Sequence, residues 1–73
     1  MDYTNQRLCL WIRVVLYATA HHGQPLEAGE LRQALDPTVR STDISRAIRT
    51  ATRHGLLHPR SSARCLYLKD QRR

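Results

Sequence analysis

The chain has 73 residues, a net charge of +6 and 41% hydrophobic residues. That length allows one domain near the lower limit of what a core stabilises alone, and the apolar share excludes wholesale disorder. The positive balance, with a pI near 10.4, points to anionic partners, nucleic acid or acidic protein surfaces.

Taken in chain order, residues 4–22 predict a first helix, with Thr4 or Asn5 as its cap and Gly23 as its stop. Leu8, Trp11, Ile12, Val15, Leu16 and Thr19 recur at spacings of three and four and are expected to face the core. A second apolar stripe, Tyr3, Leu10, Val14 and Tyr17, falls on the other side. A helix apolar on two faces is buried on both. Two readings are open for this second stripe: cover from the rest of the chain, or a twofold homodimer or partner interface.

After the Gly23–Gln24–Pro25 break, residues 27–35 predict a short helix with Ala28, Leu31, Ala34 and Leu35 inward. Asp36–Pro37 then breaks the chain, as a simple turn or as the cap of an extra helical turn. Residues 42–54 predict a third helix, capped by Ser41 or Thr42 and stopped by Gly55. Ile44, Ala47, Ile48 and Ala51 make a narrow apolar stripe. At 100° per residue Arg46, Arg49 and Arg53 fall within about 60° of one another, opposite that stripe. Beyond it, 64–69 alternates, with Leu66 and Leu68 on one side and Cys65 and Tyr67 on the other. This predicts a short hairpin of 57–60 against 64–68, followed by a polar, frayed tail at 70–73.

Three helices followed by a two-stranded hairpin resemble the winged helix-turn-helix family. The resemblance is carried by Gln24-Pro25-Leu26-Glu27-Ala28-Gly29-Glu30-Leu31, by the run from Ile44-Ser45-Arg46-Ala47 to Gly55-Leu56-Leu57, and by Cys65-Leu66-Tyr67-Leu68. It is a likeness of pattern over most of the chain. The stretch between Leu35 and Ile44 is about two residues longer than the tightest form of the motif, and Glu27 stands where Ser or Thr is usual. The implied fold is α+β, mostly α, a single winged helix-turn-helix domain over 1–73 with its core at about 4–69.

The resemblance implies a small regulator of transcription, such as a repressor, or an accessory protein of a phage or mobile element. It would bind double-stranded DNA through the third helix and the wing. On the helix, Thr42, Ser45, Arg46, Arg49, Thr50 and Arg53 would face the groove; on the wing, Arg60, Ser61, Ser62 and Arg64 would meet phosphate. Eleven of the twelve basic residues are Arg, whose planar fork suits phosphates and guanine edges. A solvated helix face and GC-rich codon usage are the plainer accounts of the same residues. The rival class is a protein-interaction module of the same fold docking on a host or partner protein. A third is RNA binding through shape, with no aromatic platform beyond Tyr67 to stack single strands.

Other chemistry has little footing. Cys9 and Cys65 are far apart and read as free thiols of a reducing, cytoplasmic setting in a bacterium or phage-infected cell. His21, His22, His54 and His58 lack metal-ligand spacing. His21 and His22 read as partners of the first helix's last carbonyls, and His54 and His58 as facing phosphate or solvent. The six acidic residues are scattered, so no catalytic constellation, cofactor or small-molecule ligand is expected. The longest apolar-rich run, 8–20, is broken by Arg13 and too short to span a bilayer.

Overall fold

The computed structural model describes Asn5 and residues 7–69. Tyr3, the candidate cap Thr4 and the tail 70–73 lie outside the described residues. Three helices follow in order: α1 (Leu10–Ala20), α2 (Glu30–Leu35) and α3 (Ser41–Arg53).

α1 starts six residues later than the periodicity suggests. Asn5 caps a turn instead of the helix: its side-chain oxygen accepts the Arg7 N–H at 3.0 Å, and its carbonyl accepts the Leu8 N–H at 3.1 Å. α2 loses its first turn because Gly29 sits at φ +79°, a left-handed conformation that glycine takes without strain and that no helix interior contains. Glu30 then reaches back to accept the Glu27 N–H at 2.9 Å.

Asp36–Pro37 makes a simple turn. Asp36 Oδ1 accepts the Thr38 N–H at 3.0 Å and the Thr38 hydroxyl, and Val39 N–H closes onto the Asp36 carbonyl at 3.2 Å. Arg32 binds the Pro37 carbonyl at 2.6 Å from the α2 side. Neither Ser41 nor Thr42 caps α3. The cap position is Arg40, whose N–H donates to Asp43 Oδ2 at 3.1 Å. At the far end Gly55 turns left-handed at φ +80°, and Leu56 N–H returns to the Ala51 carbonyl at 3.0 Å, closing the helix.

The core gathers Val14, Tyr17 and Ala18 of α1, Leu31 and Leu35 of α2, and Ile44, Ala47, Ile48 and Ala51 of α3. Leu26, Leu57 and Leu66 complete it from the connecting segments. This overturns the expected facing of α1. Val14 is 0% and Tyr17 4% exposed, so these two belong to the core and not to a surface seam, while Leu10 packs against the core half-buried. Among Leu8, Trp11, Ile12, Val15 and Leu16, only Trp11 and Val15 reach the core's edge; Leu8, Ile12 and Leu16 are half-buried outside it. Ala18 and Ala51, both 0% exposed, have side chains small enough for α1 and α3 to approach closely. Turning this face inward also buries Arg13, at 5% exposure, and its guanidinium donates to the Leu35 carbonyl at the end of α2. That carbonyl belongs to the set a helix end leaves without an internal partner.

The winged helix-turn-helix expectation fails at the wing. No strand occurs among the described residues; the backbone makes three single-residue antiparallel bridges, Leu57–Leu68, Ser62–Cys65 and Pro25–Cys65. The would-be return strand is drawn in two directions. Gly23 N–H binds the Leu66 carbonyl at 2.8 Å, and Leu26 N–H binds the Arg64 carbonyl at 2.7 Å. Meanwhile Pro59 has no N–H to offer a ladder. The Ser61 side chain substitutes for a backbone rung: its hydroxyl accepts the Tyr67 N–H at 3.0 Å and donates to the Tyr67 carbonyl at 2.9 Å. The fold is therefore three helices with an irregular segment, 56–69, folded back over them.

Candidate nucleic-acid interface

α3 presents its basic side outward because the opposite side supplies four core residues. Thr42, Ser45, Arg46, Arg49 and Arg53 are all exposed. No hydrogen bond or ion pair among the described residues occupies the guanidiniums of Arg46, Arg49, Arg53 or Arg60. Asp43, the acid of α3, is turned to the Arg40 N–H.

The ten residues expected at the interface do not form one surface. Ser45 and Arg49 of α3 face Ser61 and Ser62 of the folded-back segment across an open cleft of about 320 Å³. Ile48, Thr52, Pro59 and Ala63 complete its walls, and none of its lining residues is acidic. Arg46 and Thr50 lie on the other flank of α3, where Leu10, Trp11, Val39 and Ala47 make a more apolar groove with Asp43 at its edge. Thr42 and Arg53 line neither hollow; the helix period places them on the ridge between. Arg60 lies beyond the turn, in a notch with His22, His58, Tyr67 and Leu68.

Two wing residues have structural work. Arg64 Nε donates to the Leu26 carbonyl at 2.9 Å, tying the segment to the α1–α2 connection. Ser61 spends its hydroxyl on Tyr67, as described above. Ser62 Oγ accepts the Arg64 N–H at 3.2 Å and keeps its own proton to donate.

The histidines also depart from expectation. His54 stacks on Trp11, ring centroids 4.5 Å apart and 14° from parallel. His21 lies against Tyr17 at 4.4 Å, with Gln24 Oε1 at 3.3 Å from its Nδ1. His22 meets the Tyr67 ring edge-on at 6.1 Å. The aromatic residues were visible in the sequence, but the pairings need the folded-back segment and the α1–α3 crossing.

Thr52 was missed. Its side chain lines the α3 cleft while its hydroxyl donates to the Ile48 carbonyl at 2.8 Å; its position one turn beyond Ile48 and two beyond Ser45 was the available signal. Among the described residues no three His, Cys, Asp or Glu side chains gather as a metal site, and no helix is long and apolar enough to cross a membrane. Compared with known protein families, characterised proteins and solved structures, the chain matches none.

Proposed function

We propose that this protein binds double-stranded DNA, with α3 in the major groove and the 59–63 segment against the neighbouring backbone. The observation that carries the reading is the α3 cleft. Arg49 and Ser45 on one wall, and Ser62 on the other, offer donors from two directions into a hollow that no acidic residue lines. Arg53 and Thr42 extend the donor row along the ridge. A helix of ordinary width fits the major groove, and guanidiniums on its outer face serve phosphate or guanine edges. Occupation of a DNA site by this domain fits a regulator of transcription or an accessory protein. A second reading, docking on a partner protein, is favoured by the apolar groove beside Arg46.

The test is fluorescence anisotropy with random-sequence duplex across a salt series, with Arg49→Ala/Arg53→Ala as control. The expected log-log slope is roughly −3 to −5, for about four or five phosphate contacts. Loss of binding in a control that keeps its helical circular dichroism ties it to α3. Absence of binding at low salt overturns the DNA reading and leaves the protein-docking one.

A further inference from the structure

We propose that the notch between the end of α1 and the 58–61 turn is a second, pH-gated site for a phosphate group, whose affinity is set by the charge on His22 and His58. It rests on the DNA reading only for the source of the phosphate, a duplex backbone or a free anion; the chemistry is the same for both.

The notch measures about 260 Å³ and is lined by His22, His58, Arg60, Tyr67 and Leu68. The side chains of His22, His58 and Arg60 can each donate a hydrogen bond, the Tyr67 phenol proton being engaged with Cys65, and no carboxylate lines the notch among the described residues. Arg60 supplies a permanent positive charge. His58 Nδ1 lies 3.1 Å from the Arg60 backbone N–H and accepts from it. The neutral ring therefore carries its proton on Nε2, leaving that N–H to point away from its own turn. Protonation of His58 adds a charge and converts Nδ1 to a donor, which releases the Arg60 N–H as well.

The opposite wall is held in place. Tyr67 is fixed at its backbone by the Ser61 hydroxyl, and His22 rests edge-on against its ring. Hydrogen bonding to the Cys65 thiol, and the charge that thiol would carry on ionising, push the Tyr67 phenol above its ordinary value, opposed by Arg60. The phenol is thus a neutral group through the whole range in which imidazoles titrate.

Position links the notch to the α3 cleft. Along one turn, Pro59 and Ser61 line the cleft while His58 and Arg60 line the notch. A phosphodiester strand crossing this turn meets both. At each protonation the notch gains a unit charge at contact distance, enough for about a tenfold change in anion affinity.

The probe is sodium sulfate, whose charge is constant across the range, followed by amide nitrogen–proton spectra at about pH 5.5 and about pH 8. The signals of His58, Arg60 and Tyr67 are expected to shift with sulfate, with binding up to about a hundredfold tighter at the lower pH, about tenfold for each imidazole. In His22→Gln/His58→Gln this pH ratio falls to near unity, while duplex binding at the higher pH stays within about twofold of wild type. His22→Gln alone, at an exposed position, gives an intermediate ratio and guards against a double variant that fails to fold. Unshifted notch signals at the lower pH, or an unchanged ratio in the variants, overturn the proposal. Duplex binding with a silent notch overturns this site and leaves the DNA reading standing. Sulfate binding in the notch without duplex binding retains the site as one for a free anion and removes the DNA reading.

Discussion

α1 and α3 each bury one face in the core, but only α3 declares in its sequence which way it faces. Its apolar positions, Ile44, Ala47, Ile48 and Ala51, fall on one stripe, and all four are buried. α1 has apolar residues nearly all the way round, and the residues it buries are Arg13, Val14, Tyr17 and Ala18. Periodicity orients a helix when its faces differ in polarity. When they do not, the choice falls to shape and to the polar partners each orientation provides. In α1 these are a small, fully buried alanine and a helix-end carbonyl within reach of Arg13.

The sharpest way to break this comparison is to truncate the two faces of α1 separately. Tyr17→Ala is expected to cost about 3–5 kcal/mol, as for other large buried rings. Leu16→Ala, on the face outside the core, is expected to cost under about 1 kcal/mol. Urea unfolding of both variants measures the difference, and equal losses would mean that α1 buries both faces equally.

Arg13→Met comes next. It keeps much of the buried stem but deprives the Leu35 carbonyl of its donor, for an expected loss of about 1–3 kcal/mol. An unchanged unfolding midpoint would show that the guanidinium is dispensable to the packing of α1.

On α3 the same kind of change separates function from stability. Arg49→Ala is expected to weaken duplex binding by about 1–3 kcal/mol with stability altered by less than about 0.5 kcal/mol. Anisotropy and urea titration on one preparation read both, and a large stability loss would place Arg49 in the fold instead of the interface.

The smallest effect belongs to the turn between α2 and α3. The Thr38 hydroxyl and N–H, with the charge of Arg13, hold the Asp36 carboxyl below its ordinary value of 3.8, against a smaller opposing effect of desolvation. A depressed carboxyl stabilises the fold above its unfolded value and ceases to do so as pH falls through the folded one. The gap in urea midpoint between wild type and Asp36→Asn is expected to narrow between about pH 6 and about pH 2.5. A constant gap would remove Asp36 from the acid response.

These contrasts also show how far residues alone could lead. The order of three helices, the core stripe of α3 and its exposed arginines were legible because each rests on local periodicity. The orientation of α1 was not, for the reason given above. The start of α2 was not legible because the apolar spacing over 27–35 does not reveal that Gly29 turns left-handed and stops the helix there. The wing failed because alternation in 64–69 describes side chains, whereas a ladder needs backbone partners. Pro59 lacks one, Ser61 supplies a side chain in place of one, and Gly23 and Leu26 claim others. Of the candidate interface, the exposure of the α3 arginines was legible but the grouping of the ten residues was not. The division of Arg49 from Arg46 and from Arg60 depends on where the folded-back segment lies.

The Arg13–Leu35 link bears on how the domain opens. α2 has six residues, too few to persist as a helix unaided, and its last turn is secured by a side chain belonging to α1. Release of α2 breaks this bond and takes the partner from a buried guanidinium, so the amides of the two helices are expected to exchange with deuterium together, as a single opening unit. The frame behind α3 is then expected to open as one unit, with α3 losing both of its supports in the same event.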